Sequence, residues 1–501
     1  MTEAGQPGAR GPLWAGLAAL VAGLPALGLP FLSDDWSHAI AARDGTFLVT
    51  PFSYFRPLAS IDYWIDWQLW GWTAAGYRAH GLILAAVAAA LVVVLVRRYT
   101  GDAALATTTG IVFALHPYHI GAVAWIAARS DLLSAVLVLV AAWCFDRWCG
   151  RPRGVPWLTL LFYELALLAK EGAVVLPAFL LVVALWDRRR RLAGRAWLRG
   201  FAPLAAMALA HFLALRPVAL GASGLGPLKW LGAWRGNLMA YGSASVLPLP
   251  PEIFEVRVWL VGGSAALATL VLLIAARARE GRIPVVVWPA AMAFTVLLGP
   301  SLIGFVQRYY FLPSAAAALA LAALLRAAPR RVGIPAAACL AFVWFGTAAA
   351  LWTAWYDGGA ASRAYVAGLV EASREPGVET IIVVGAPHRI HGIPVTAALE
   401  DIVPLRGGNE VRVVTAGEFD YPTRNDAALA GTSAIGTTIR VELGVEPRPY
   451  SRYVWPGLKL SQGFADGVSV SEAGAHGVVV EVTVREGRRV LVWSGGGLKP
   501  L

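Results

Sequence analysis

Long apolar runs separated by short polar turns fill the first 355 residues. They fall at 13–32, 79–96, 103–116, 131–146, 156–169, 172–187, 198–215, 257–276, 283–300, 309–326 and 332–354. A helix needs about 20 apolar residues to cross a hydrocarbon layer, and fewer where it is packed inside a bundle, so the pattern predicts about 11 transmembrane helices. The runs 156–169 and 172–187 flank Lys170 and Glu171. One helix over both would be about 48 Å long and would hold two charges at mid-membrane, so two short spans with a charged turn are expected.

Between the first two runs, residues 33–78 form a long polar and aromatic loop in which Trp64, Trp67 and Trp70 recur at helical spacing beside Tyr63 and Trp72. That spacing predicts an amphipathic helix lying in the head-group layer. Residues 217–256 are rich in Gly and Pro, and their "NLMAYGSASVLPLPP" predicts a re-entrant or interfacial helix. After Trp355 the pattern changes to short β-like stretches at 380–387, 410–417, 436–443, 477–484 and 488–495, with a helix in "PVTAALEDI" after the first of them. The expected fold class is therefore mainly α: a polytopic helical membrane domain over 1–356, followed by a small α/β or mainly β extracytoplasmic domain over 357–501.

Composition agrees with this reading. The chain is 58% hydrophobic with 21 tryptophans, and its mean hydropathy of +0.61 excludes an ordinary soluble protein. The net charge of +11 does not point to nucleic acid, because the arginines gather in the turns between apolar runs. These clusters are Arg97 and Arg98; Arg147, Arg151 and Arg153; Arg188 to Arg191 with Arg195 and Arg199; Arg277, Arg279 and Arg282; and Arg326, Arg330 and Arg331. By the positive-inside rule they face the cytoplasm, as does the N-terminus, and the C-terminal domain lies outside. The expected location is the inner membrane of a bacterium, with the first run kept as a signal anchor and membrane lipids as partners. Cys144, Cys149 and Cys339 have no CxxC spacing and support neither a disulfide framework nor a zinc site. The same topology places Asp34, Asp35, His116, His119, Arg129, Lys170, Glu171, Gln307 and Arg308 at the extracytoplasmic ends of their spans.

Four stretches, "FLSDDW" with "FRPLASIDYWIDWQLWGWTAAGYRAHGLIL", "FALHPYHIGAVAWIAARSDLLSAV", "LAKEGAVVLPAFLLV" and "QRYYFLPSAAAALAL", resemble in order the motifs of the polytopic GT-C glycosyltransferases related to protein O-mannosyltransferases. The resemblance covers roughly residues 15–355 and is greatest to members that carry TPR repeats after the membrane part. This chain has Gln307 where such proteins often have an acidic residue, and its tail contains no TPR or other repeat. The resemblance implies transfer of a sugar from a polyprenyl-phosphate carrier to an acceptor hydroxyl, usually with inversion; the acceptor is a protein, a glycan or a lipid.

Such a transfer needs a base within reach of the hydroxyl. Asp34 and Asp35 are the candidates, and Asp34 is preferred. Adjacent residues point differently, so one is expected to face the acceptor and the other to orient it, cap a helix or hold a metal. The competing reading is that both merely cap the helix "WSHAIAARD". No cofactor is assigned, and a divalent cation, Mg or Mn, with Asp35 as a ligand stays open. The leaving phosphate calls for cations, for which Arg56, Arg129, Lys170 and Arg308, with Tyr309 beside it, are the candidates; snorkelling at helix ends is the alternative for each. Glu171 is a candidate for the donor site whose alternative is to pair with Lys170 and neutralise it, and Asp131 is read as a partner that orients Arg129. His116 and His119 are candidates to bind donor or acceptor, or a divalent ion together with an Asp, and structural hydrogen bonding in the loop is the preferred reading for His119. His38 and His80 are read as interfacial, and His388 and His391 as loop residues. A transporter or flippase for lipid-linked sugars and a non-catalytic scaffold are the other classes. A transporter would put its polar groups near mid-bilayer on broken helices, unlike the one-sided cluster here.

Overall fold

The computed structural model describes residues 10–48, 51, 54–186, 192, 194–221, 244, 248, 307–395, 399–421, 429–444, 467–472 and 477–501. The expected spans 257–276 and 283–300, and nearly all of the 217–256 segment, lie outside the described residues. The described chain forms two compact units, of which the second joins Leu29–Ile40 to Ala350–Leu501 and the first holds the other helices up to Ala349.

In the first unit, α1 (Gly11–Gly23) passes into a 3-10 turn over Leu24–Gly28. The continuous run expected to Leu32 breaks early because Pro25 and Pro30 cannot donate to a helical ladder. There follow α2 (Asp34–Arg43), α3 (Pro57–Trp70), α4 (Ala74–Thr100), α5 (Ala103–Ala114), α6 (His119–Ala124), α7 (Arg129–Cys149), α8 (Trp157–Ala169), α9 (Leu176–Trp186), α10 (Arg195–Gly221), α11 (Ser314–Ala327) and α12 (Arg330–Ser373). Among the described residues, Gly11–Gly28, Ala74–Thr100, Ile126–Cys149 and Arg330–Ser373 are long and apolar enough to cross a membrane; Ala103–Ala114, Trp157–Ala169, Glu171–Leu181 and Ser314–Ala327 are shorter apolar helices.

Small residues let the helices approach closely. A Cβ on Gly110 of α5 would stand 2.2 Å from Val93 of α4 and 2.9 Å from Ala15 of α1, the close packing expected where no hydrophobic drive separates helix from lipid. Between α8 and α9 the helix breaks at Lys170, which is extended (φ −162°, ψ 134°), before a 3-10 turn over Glu171–Val175. Helix α3 is polar inside and apolar outside. Ser60, Asp62, Tyr63 and Asp66 are buried, while Ile61, Trp64, Ile65, Leu69 and Trp70 are exposed, the polarity of a helix that offers its apolar face to lipid.

The second unit starts inside α12. This helix runs 44 residues, past the change of composition after Trp355, because no proline follows until Pro376. Its later turns bury Tyr365 and Leu369 in the core of the C-terminal domain, against Ile382, Val490 and Trp493. Strands β1 (Thr380–Ile390), β2 (Ile393–Pro394), β3 (Arg412–Tyr421), β8 (Arg488–Ser494) and β9 (Gly497–Pro500) make one sheet. Here β1 is parallel to both β3 and β8, and β8 pairs antiparallel with β9. The second sheet is antiparallel, in the order β4 (Leu429–Ile435), β5 (Thr438–Gly444), β7 (Gly477–Thr483), β6 (Val468–Glu472). Helix α13 (Leu399–Leu405) overlaps the end of the expected "PVTAALEDI" (394–402), whose Pro394 instead ends β2. His388 lies in β1 rather than in a loop, and only His391, at φ +50°, sits in the β1–β2 turn.

Candidate active site: a carboxylate turn and a cation cluster

Asp34 and Asp35 stand where the chain enters α2, in the second unit. Ser33, almost fully buried, is held at φ +42°, a backbone state costly for a residue with a Cβ. The strain is locked by reciprocal bonds: the Asp35 amide donates to Leu32 O at 2.8 Å, and the Leu32 amide donates to Asp35 Oδ2 at 3.1 Å. Asp35 is fully buried. Asp34 is half-buried, and its Oδ1 accepts from Ser33 Oγ at 3.2 Å. The two carboxylates thus divide as adjacent residues must, Asp35 tying the turn and Asp34 pointing to the more open side. Trp36 packs on Phe31 at 5.0 Å, and the Arg406 guanidinium lies 5.8 Å from its ring.

In the first unit, four separate pieces of sequence meet: the segment before α3, the first turn of α7, the α8–α9 turn, and a 3-10 turn over Gln307–Tyr310. Arg56 grips Glu171 as a fork, Nε to Oε2 at 2.8 Å and Nη2 to Oε1 at 2.5 Å. Lys170 Nζ donates to Asp131 Oδ1, and Arg308 Nε lies 3.6 Å from Asp131 Oδ2. Aromatic faces wall the cations. Lys170 Nζ is 4.4 Å from the Tyr309 ring centre, Arg308 is 4.2 Å from Trp125 and 5.0 Å from Tyr309, and Arg56 is 4.5 Å from Tyr54. Within this cluster the three cations Arg56, Lys170 and Arg308 face the two carboxylates Asp131 and Glu171, which leaves a net positive charge suited to an anion.

Glu171 pairs with Arg56, not with Lys170 as its sequence neighbour suggested. Burial alone would raise its carboxyl, but Arg56 outweighs that and holds it down at about 2. It stays ionised and is too weak a base to take a proton from a hydroxyl at neutral pH. Its side chain is 40% exposed, so the pair orients Arg56 more than it stabilises the fold.

Asp131 likewise does not pair with Arg129. Two positions earlier on α7, Arg129 turns the other way, 3.1 Å from Asp62 Oδ2 and 2.8 Å from Asp66 Oδ2, and it donates to Tyr77 O. His80 closes the group, with Nδ1 2.9 Å from Asp66 Oδ1 and Nε2 3.6 Å from Asp62 Oδ1; it is a partner in an ion network rather than a plain interfacial residue. Burial pushes the Asp62 carboxyl up, against Arg129 and His80. Among the described residues, Asp62, Asp66 and His80 have the donor spacing to hold a metal ion. Arg129 already supplies the positive charge that these carboxylates need, so the set does not fit a divalent cation. Sequence reasoning passed over Asp62 and Asp66, although their i, i+4 spacing on the face of α3 opposite Trp64 was a readable sign.

Removing Arg129 would leave two buried carboxylates uncompensated. Arg129→Met is expected to cost about 3–5 kcal/mol, read as a lower unfolding temperature of the purified protein in detergent. Adding Asp62→Asn and Asp66→Asn is expected to recover much of that loss.

His116 and His119 stand apart in an apolar nest. His116 Nε2 donates to Ala244 O at 3.1 Å, and its Nδ1 accepts from the Tyr118 amide at 3.3 Å, so both ring nitrogens are engaged within the protein. Ser314 Oγ donates to Phe311 O at 2.7 Å, which makes His119 Nε2 the donor to Ser314 Oγ, also at 2.7 Å. Phe113, Phe311, Tyr310 and Trp344 pack on the two rings. Both rings are thus hydrogen-bonded within the protein.

No family model matches the chain. Among curated proteins, it is 34% identical over 133 residues to Protein O-mannosyl-transferase Tmtc1 of Drosophila melanogaster, covering 26% of this chain and 16% of that protein. It is 32% identical over 205 residues to Tmtc2 of the same fly, covering 35% and 21%, and 31% identical over 123 residues to human TMTC1, covering 23% and 13%. The matched stretches span about a fifth or less of those relatives' length. Among solved structures, ArnT from Cupriavidus metallidurans bound to undecaprenyl phosphate aligns over 94% of this chain and 97% of that one, at 14% identity and a TM-score of 0.44. Its apo form gives 0.43 over the same coverage. Over the stretches they share, the chain is similar in sequence to the protein O-mannosyl-transferases.

Proposed function

We propose that the protein is a membrane glycosyltransferase that moves a sugar from a polyprenyl-phosphate carrier to an acceptor hydroxyl at the extracytoplasmic face of a bacterial inner membrane. The observation that carries this reading is the cluster of Arg56, Lys170 and Arg308, walled by aromatic rings and holding more positive than negative charge. A lipid-linked phosphate needs such a seat, because its tail stays in the bilayer and its charge stays at the interface. By the positive-inside rule, the turn bearing Asp34 and the span ends that carry the cations are each expected at the extracytoplasmic side.

In the reaction, Asp34 takes the acceptor's proton as its oxygen attacks the anomeric carbon. The bond from that carbon to the phosphate oxygen breaks, and the electron pair leaves with the polyprenyl phosphate. Attack from the face opposite the leaving group inverts the anomeric centre. Lys170 and Arg308 stabilise the departing charge in a water-poor setting, and Asp131 and the Arg56–Glu171 fork keep those cations in place. Kinship with protein O-mannosyl-transferases makes a mannosyl donor the first to try, with protein, glycan and lipid as acceptor classes.

The test uses membranes from cells that overproduce the full chain and from cells that lack it. Undecaprenyl-phosphate mannose, radiolabelled in the sugar, is added. Transfer of label to a non-extractable or polar product, with release of undecaprenyl phosphate, is expected only where the protein is present. Movement of intact donor across the membrane without release would establish a flippase instead. Unlabelled products, together with identical surface glycans in cells with and without the protein, would overturn the reading.

A further inference from the structure

The carboxylate turn belongs to the same compact unit as the C-terminal domain, and the close contact between them is made by glycine. Gly358 and Gly359 lie side by side in α12. Each costs about 1 kcal/mol relative to alanine in a helix interior, so a pair there calls for a compensating close approach. A Cβ on Gly359 would stand 2.9 Å from Pro30 Cδ, 3.4 Å from its Cγ and 3.6 Å from Leu29 Cδ2. A Cβ on Gly358 would stand 2.9 Å from Ile393 Cγ2 and 3.1 Å from Ile393 Cβ, in strand β2. On the same helix, Gly346 has nothing within 4 Å of the equivalent point.

The run from Pro30 to Asp34 is stiff. Proline fixes its own φ, Phe31 and Leu32 are buried, Leu32 and Asp35 bond each other reciprocally, and Ser33 sits in a strained state that only a tight surround can hold. A push on Pro30 therefore reaches Asp34 with little slack.

We propose that Gly359 is a positioning residue: the notch it makes in α12, next to the one that seats the β1–β2 hairpin, fixes the Leu29–Pro30 corner and so sets the direction of the Asp34 carboxylate. The last long helix and the C-terminal domain thereby form the frame on which the base is mounted. This rests on the reading of Asp34 as the base.

Gly359→Ala separates this role from a general one, since alanine strengthens the helix while its methyl group meets Pro30. With undecaprenyl-phosphate mannose as donor, Gly359→Ala is expected to lower kcat by about tenfold or more, the scale of a small misplacement of a reacting group, with the donor KM unchanged. Gly346→Ala is expected to behave as the parent protein. A second arm needs no turnover: Asp34→Cys, in a full chain whose Cys144, Cys149 and Cys339 are replaced by alanine, is labelled with N-ethylmaleimide. Adding Gly359→Ala is expected to change the labelling rate, and adding Gly346→Ala is not. An unchanged labelling rate, or a Gly359→Ala loss that falls equally on donor KM and kcat, overturns the proposal. If Asp34→Asn stays active, the base assignment fails, while the labelling arm still judges the notch.

Discussion

Asp34→Asn is expected to abolish all but a trace of sugar transfer, a loss of about 10²–10⁴-fold in kcat of the kind that removal of a general base produces, with donor binding intact. Asparagine keeps the size of the side chain and can still accept from Ser33 Oγ, as Asp34 does at 3.2 Å. What is lost is the negative charge that takes the proton. Asp35→Asn is the contrasting case. Asp35 is fully buried and accepts the Leu32 amide through Oδ2, so its loss weakens the strained turn around Ser33 and lowers the amount of folded protein as well as the rate. Initial rates with labelled donor, set beside binding of undecaprenyl phosphate and the level of protein in the membrane, separate the two. Full activity in Asp34→Asn would remove the base from this turn.

The long helices and the charged break at Lys170 were legible because both rest on local physics: a run of apolar residues has few alternatives to a helix in a membrane, and two adjacent charges cannot sit at its centre. That a helix, α3, carries the tryptophans was equally plain from their spacing. Its inner face was not, because Asp62 and Asp66 acquire their meaning from Arg129, which enters from α7, 67 positions away for Asp62. Partner choice misled in the same way at Lys170, Glu171 and Asp131. Neighbours in sequence suggested Lys170 with Glu171 and Arg129 with Asp131, whereas helical geometry turns residues one or two apart to different sides and sends each to a partner elsewhere. The end of α12 was misjudged because a change of composition marks where lipid contact stops, not where a helix stops. Charges near helix ends can be read from the sequence; which charge meets which cannot.

Arg308→Ala is expected to lower kcat/KM for the donor by about 10²–10³-fold, the size of the loss when one group stabilising a developing anion is removed. The pairing around Asp131 gives a sharper form of this prediction. Asp131 now shares its charge between Lys170 and Arg308. Without Arg308 its ionic contact is with Lys170, so the variant loses one cation outright and has a second more fully neutralised. Asp131→Asn on the Arg308→Ala background should then release Lys170 to the phosphate and recover part of the lost donor affinity, although the second change removes an ionic contact and by itself would be expected only to harm. Arg308→Lys restores the charge but not the flat face that stacks on Trp125 and Tyr309, and should fall between the parent and Arg308→Ala. A double variant no better than Arg308→Ala would mean that Asp131 does not compete with the donor for Lys170. In that case the cations act as a rigid frame, and the net charge of the cluster is not what draws the phosphate in.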